Sequence, residues 1–369
     1  MDATRSRCEQ LLADLVFTNG KIITVDKEFS LAQAVAVRGE KIVAVGTDRE
    51  VGAFVGKDTR VVDLRGKVVL PGINDSHIHL AFMGSARPPI AIDLSYPDAK
   101  SIRDIVRMVA EKVATSAPGE WIRGAGIDEG FLEECLRDKT RHPTRWDLDP
   151  VSPNNPVLIE DFSGHGMLAN SKALGLAGID RDTPSPTGGI VVKDPFTGEP
   201  TGHLREAPAI DLLTKVVPPF TRSQKREAIQ SSLTELTKLG ITSITDAALG
   251  PGGSDHMGGV MGSECLSIYN DLYNEGRLTA RVTVLYLFGQ YGTCSAKNLE
   301  EIVPKIGIHT WFGNDWLRIG GIKIFADGVP TTGTAWMHEE YVGGGTGSLV
   351  LPGSTDEERY DELIKMILF

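Results

Sequence analysis

The segment Pro71–Leu80, PGINDSHIHL, places two histidines, His77 and His79, two residues apart just after an apolar run, Val68-Val69-Leu70. In a strand, residues i and i+2 point to the same face, so both imidazoles can reach one metal ion from the end of one strand. Zinc accepts imidazole nitrogen, and catalytic zinc sites leave a position open for water. The ion lowers the pKa of that water and polarises a scissile carbonyl. Asp75 stands two residues before His77, close enough to be a candidate orienting partner. The competing reading is a pair of ordinary loop histidines, since the pattern is short.

The elements that would position these residues follow two textures. Residues 1–70 form a small β module of short antiparallel strands. Asn19-Gly20 between Leu15-Val16-Phe17 and Ile22–Val25 is a hairpin signal, Gly39 between Ala34–Val37 and Ile42–Val45 a second, and Arg65-Gly66 a third. Thr47 and Glu50 match a capping box. Over residues 71–369 strands alternate with helices. Ile102, Ile105, Val106, Val109 and Val113 keep helical spacing, as do Ile229, Leu233, Leu236 and Leu239, with Gly240 as a stop. Strands are expected at Ile241–Asp246, Val282–Leu287 and Leu317–Phe325. That alternation predicts βαβ units and a parallel sheet. Residues 85–220 are rich in Pro, Gly and turn signals and read as an inserted subdomain or elaborate loop, with a hairpin at Thr187–Gly202. Thr355–Glu358 repeats the capping-box pattern ahead of an apolar helical face, Tyr360, Leu363, Ile364 and Ile367.

Composition narrows the partners. A net charge of −11 over 369 residues argues against a nucleic-acid footprint and an anionic membrane surface. The four cysteines (Cys8, Cys135, Cys265, Cys294) lie far apart, which disfavours a cysteine zinc site and fits a reducing compartment. With no apolar signal core and no run long enough to span a bilayer, the expected location is the cytoplasm, with no membrane partner. A small-molecule substrate is expected, and assembly into a homo-oligomer is left open.

Across the chain, PGINDSHIHL, Trp121–Glu129 (WIRGAGIDE), His165–Leu174 (HGMLANSKAL), Thr201–Ala207 (TGHLREA), Leu239–Asp246 (LGITSITD) and Gly321–Gly328 (GIKIFADG) occur in the order that resembles the amidohydrolase superfamily. Within it they resemble the family-3 branch of YtcJ-like proteins and N-substituted formamide deformylases. The resemblance implies an α/β fold, a (β/α)8 TIM-type barrel beside a β-sandwich built mostly from the N-terminal strands, with a metal centre at the C-terminal ends of the barrel strands. His77 and His79 match ligands after the first strand. Lys323 matches a lysine after the fourth whose carbamate bridges two metals in related enzymes; its apolar neighbours Ile322, Ile324 and Phe325 fit a buried strand, against a surface lysine as the alternative. One or two divalent ions, zinc first, are implied. So is hydrolysis of a non-peptide carbon–nitrogen bond, such as an amide or N-substituted formamide, by metal-activated water.

Weaker candidates for the substrate pocket are Asp128, Glu129 and His165, each with a structural alternative. Asp246 is expected as an N-cap, Asp327 as a turn-former or supporting group, and His203, His256, His309 and His338 as structural. The resemblance also implies two more histidines and a proton-shuttling aspartate beyond the chain end, because only about four βα units are present. That pattern is expected of a truncated barrel. The alternatives are a catalytically inactive fragment, or a deaminase or esterase of the same superfamily.

Overall fold

The computed structural model describes residues 12–186, 189–250, 260–288, 294–307, 309–330, 334–341 and 344–369. The chain divides into two compact units, Met1–Ile73 and Asn74–Phe369.

The first unit contains β1 (Leu15–Thr18), β2 (Lys21–Ile23), β3 (Leu31–Ala32), β4 (Ala34–Arg38), β5 (Lys41–Gly46), β6 (Arg60–Asp63) and β7 (Val68–Val69). They form two sheets, β5-β4-β1-β6 and β3-β2-β7. Only the hairpin at Gly39 forms as the sequence suggests, with β4 antiparallel to β5. At Asn19-Gly20 and Arg65-Gly66 the chain changes sheet instead: β1 runs parallel to β6, and β2 parallel to β7. The reason is where the turn's polar groups go. Asn19 donates from its backbone to Asp48 (2.8 Å) and from its amide to Asp63 (2.9 Å), while Gly66 donates to the Asn19 carbonyl (2.7 Å). The two corners therefore bond across the module rather than closing tight turns. Val16, Ala34, Ala36 and Val51 form its core, and the Thr47–Glu50 capping box opens helix Asp48–Gly52.

The second unit opens with β8 (Ile73–Ile78), which starts on the last residue of the first unit and leads into helix Leu80–Ser85. The region expected as an insertion is itself a six-stranded sheet. It holds β9 (Ile92–Asp93), β10 (Ile122–Ile127), β11 (Val157–Asp161), β12 (Gly166–Ala169), β13 (Ile190–Lys193) and β14 (Pro200–Arg205), in the order β13-β14-β12-β11-β10-β9. β9, β10 and β11 are parallel; β11, β12, β14 and β13 pair antiparallel in turn. The β13–β14 hairpin is present, although Thr187 and Gly188 of the expected span lie outside the described residues. Neighbouring residues on β11 face opposite sides, and each side has a core: Ile159 packs with Ile105, Val109 and Ile122, and Leu158 with Leu174, Leu204 and Leu213.

A second sheet joins β8 to β15 (Ile241–Leu249), β16 (Arg281–Leu287) and β17 (Leu317–Lys323), in the order β17-β16-β15-β8. β16 is parallel to both β15 and β17. The helices with the expected apolar spacing are Ile102–Val113 and Arg222–Lys238; the latter stops where Gly240 takes φ +76. Ile229, Leu233 and Leu236 pack with Leu80, Ile268 and Val282 in the main core. Burying each such aliphatic side chain is worth about 1.5–3 kcal/mol. Among the described residues this sheet is open, with β8 and β17 as its edges. At Thr355 the box is split: Thr355 caps Glu358, but the Glu358 carboxylate accepts from Ser354 instead.

Helix Leu80–Ser85 lies so close to helix Arg222–Lys238 that a Cβ on Gly84 would sit 2.1 Å from the Ala228 carbonyl oxygen. Backbone cannot yield as a flexible side-chain tip would. Gly84→Ala is expected to cost about 1–3 kcal/mol, the range for overpacking, read by chemical denaturation. An unchanged unfolding midpoint would show that the helices are not in this contact.

Candidate functional site

His77 lies within β8 and His79 one residue past its end, as the N-terminal flank of helix Leu80–Ser85. Their rings meet edge to face with centroids 5.2 Å apart. Two imidazoles each about 2.1 Å from one tetrahedral ion would have centroids roughly 5 Å apart, so the spacing fits a shared ion. Among the described residues, His79 Nδ1 is buried without a hydrogen-bond partner. A buried polar atom left unpaired is costly, and a metal ion is one way to satisfy it. Burial first, then the nearby charges of His77 and Lys323, push the His79 pKa down to about 4. The ring is therefore neutral at pH 7, with a lone pair to give. Asp75 does not orient an imidazole as expected; its carboxylate accepts from the His77 backbone N–H (3.0 Å).

Leu80 fixes where His79 can sit. Its N–H is hydrogen-bonded to the Asp246 carboxyl, and its carbonyl accepts from Ser232 Oγ (3.2 Å). Asp246 is not an N-cap: it lies inside β15, 1% exposed, and also accepts from Tyr269 Oη at 2.6 Å. Burial pushes its carboxyl up to about 7 against those hydrogen bonds.

Lys323 is the last residue of β17, and its aim depends on a bulge. β17 pairs Ile319 with Val284 and then Gly321 with Leu285, leaving Gly320 as an extra residue. Ile319 packs in the main core, whereas Ile322 and Ile324 pack with Leu299 and Met366. The odd spacing between Ile319 and Ile322 shows the alternation switching at the bulge. Lys323 is thereby turned away from the face of its two isoleucine neighbours. Burial lowers its pKa, and its Nζ lies 5.0 Å from the Phe325 ring centroid. Asp327 accepts from the Trp336 backbone (2.9 Å), a loop-holding role. Among the described residues no group of three or more His, Cys, Asp or Glu side chains is placed to hold a metal.

Asp128, Glu129 and His165 share a different place. They line a cavity of about 440 Å³ that none of His77, His79 and Lys323 borders. It opens where β10, β11 and β14 end, the usual location of ligands in α/β sheets. Glu129 Oε2 is 2.7 Å from His142 Nδ1, and Glu129 Oε1 is 3.7 Å from His203 Nε2. Opposite them Glu206 Oε2 is 2.9 Å from His165 Nδ1. Glu206 adopts φ 65 and ψ 155, backbone that is essentially glycine-only and costs of order 1–3 kcal/mol. Its N–H donates to the His165 carbonyl (2.8 Å), so strand pairing helps to hold the strained residue in place. His203 was expected as structural, and Glu206 and His142 were not singled out by sequence. The TGHLREA segment that contains the first two was the available signal. His256 lies outside the described residues, and the His309 ring bonds the Thr310 carbonyl.

The Asp246 carboxyl supplies a test. Unfolded, it ionises near its ordinary 3.8; folded, near 7. Between those values the unfolded chain releases a proton that the folded chain keeps, so rising pH favours unfolding. The stability of Asp246→Asn relative to wild type is therefore expected to rise from pH 4 to pH 7, by up to about 4 kcal/mol, and to level off above. Denaturation of metal-stripped protein across that range reads it; a difference constant with pH would mean that the carboxyl is ionised in its buried position.

Comparison with known proteins places this geometry. A family model described as the amidohydrolase family matches residues 60–366. Protein LONG AFTER FAR-RED 3 of Arabidopsis thaliana is 32% identical over 90% of this chain and 53% of its own length. N-substituted formamide deformylase of Arthrobacter pascens is 36% identical over 64% of this chain and 43% of its own. The chain thus spans about half the length of these curated relatives. A metal-dependent hydrolase structure from Pyrococcus horikoshii superposes with a TM-score of 0.66 at 24% identity, over 96% of this chain and 62% of that one, a likeness of fold. From its β8–β17 sheet to the His77–His79 strand end, the chain belongs to the amidohydrolase family.

Proposed function

We propose that the chain contributes the first metal ligands of a hydrolase acting on carbon–nitrogen bonds other than peptide bonds, with amides or N-substituted formamides as substrates. The observation that carries this reading is the buried, unpartnered Nδ1 of His79 beside the His77 ring. His77 and His79 would hold a divalent ion, zinc being the first choice for imidazole donors. Lys323, desolvated and close enough for its charge to depress His79, would be the third group. Desolvation favours the neutral amine that carbamate formation requires. When bound, such an ion supplies Lewis-acid polarisation of a carbonyl and acidification of water. The chain's own residues hold the His79 ring neutral and fix its backbone through Leu80. We read Asp128, Glu129 and His165 as lining the substrate pocket.

A second reading, metal binding without turnover, is favoured by the lack of a three-member His, Cys, Asp or Glu group among the described residues. The free, buried Cys135, Cys265 and Cys294 support a reducing, cytoplasmic setting. Among the described residues no helix is long and apolar enough to cross a membrane.

Zinc titration of the stripped chain by calorimetry, followed by assay of formate release from N-substituted formamides, separates the readings. The expected result is stoichiometric zinc, weakened at least tenfold by His77→Ala or His79→Ala. Formate release that requires zinc supports the hydrolase; zinc without turnover supports the second reading. Zinc affinity unchanged in both variants would remove the metal centre from His77 and His79.

A further inference from the structure

We propose that the cavity at the ends of β10, β11 and β14 recognises a small organic cation, a protonated amine carried on an apolar body. The inference deepens the substrate-pocket reading of Asp128, Glu129 and His165 and rests on it; it does not depend on the metal centre.

The cavity's size falls in the range of sites for small ligands, roughly 300–1,000 Å³. Its charge is one-sided. Four carboxylates line it, Asp128, Glu129, Asp161 and Glu206, against one guanidinium, Arg205. Burial lowers the basicity of His203, so that ring adds no charge near neutral pH. Even with His165 protonated the lining remains negative, four against two.

Three carboxylate oxygens are left over once the local hydrogen bonds are assigned. Asp128 Oδ1 accepts from the Gly130 N–H (2.8 Å), and Asp161 Oδ1 from Ser163 (2.9 and 2.7 Å). Glu206 uses Oε2 on His165. Among the described residues, Asp128 Oδ2, Asp161 Oδ2 and Glu206 Oε1 have no hydrogen-bond partner. These oxygens are not buried, so solvent can reach them; a ligand that brings N–H groups can take its place, and an ammonium brings three. Gly166 keeps the space beside Asp161 open, since a Cβ there would lie 2.3 Å from Asp161 Oδ2. The rest of the lining is apolar, including Ile159, Met167 and Ile190. Phe162, 62% exposed, also lines it, and an aromatic face attracts a cation. The net charge of −11 favours approach of a cation.

Three probes with one body and three charges test this: 2-phenylethylammonium, 2-phenylethanol and 3-phenylpropanoate, titrated calorimetrically into the full, metal-stripped chain at pH 7. The ammonium is expected to bind at least tenfold tighter than either of the others. Asp161→Asn and Glu206→Gln should each weaken it at least fivefold and leave the alcohol unchanged. His77→Ala should not alter it. Asp128→Asn serves as the alternative if a variant does not melt cooperatively. Absence of ammonium binding, equal binding of all three, preference for the carboxylate, or a preference that survives the carboxylate substitutions would overturn the proposal. Zinc-dependent formate release from neutral formamides without ammonium binding would defeat this inference alone. Ammonium binding without zinc binding would defeat the hydrolase reading alone.

Discussion

Both backbone polar groups of Leu80 are spoken for, and the placement of the histidine pair depends on it. Asp246 takes the N–H, Ser232 supplies the carbonyl's donor, and the Leu80 side chain is fully buried in the main core. β15 and helix Arg222–Lys238 thus grip the chain one residue beyond His79. The grip requires a carboxyl inside the core, which carries a desolvation cost. Tyr269 Oη offsets part of it and links the same carboxyl to helix Ser263–Asn274. With the following backbone held on two sides, His79 has little freedom to rotate away and satisfy Nδ1 elsewhere. That buried nitrogen, without a partner among the described residues, is the observation on which the proposed metal site rests.

The insertion solves a different problem by similar means. Its sheet gathers the ends of β10, β11 and β14 on one side, and each carries a carboxylate at or just past its last residue, Asp128, Asp161 and Glu206. Glu206 pays in backbone strain to set its carboxylate on His165, while Asp128 and Asp161 each use one oxygen on a neighbouring turn. Rigid turns and strand pairing hold these carboxylates with oxygens to spare. The cavity's chemistry is therefore set before any ligand binds, which limits the ordering cost of recognition.

Much of this was legible in the sequence because it is local. Helical spacing around Ile105 and Ile229, the Thr47 box and the strand cores at Ile244, Val284 and Ile319 depend on residues near one another. The motif order carried the family. Asp75 and Glu358 differ from expectation locally, each accepting from a nearby backbone N–H; the other failures share one cause, a partner distant in sequence. Asn19-Gly20 reads as a hairpin until Asp48 and Asp63 claim its donors. Asp246 reads as a cap until Leu80 and Tyr269 reach it inside a strand. His203 reads as structural, and Glu206 goes unmarked, until β14 lies beside β12 and brings them to the cavity with His165.

Lys323 shows how a local irregularity and a long-range placement combine. β8 and β17 are three strand spacings apart in the sheet order, roughly 14 Å if the sheet were flat. Yet the Lys323 charge is felt at His79. Twist and curl must shorten that span, and a lysine's length covers part of what is left. Neither would suffice if the side chain faced the helices with Ile322 and Ile324. The extra residue at Gly320 shifts the alternation and turns Lys323 to the other face. A residue of the neighbouring strand explains why glycine stands there: a Cβ on Gly320 would lie 2.5 Å from Cγ2 of Thr283, the partner of Arg318. The glycine lets the bulge form, and the bulge aims the lysine to the face from which its charge is felt at the first strand's histidine.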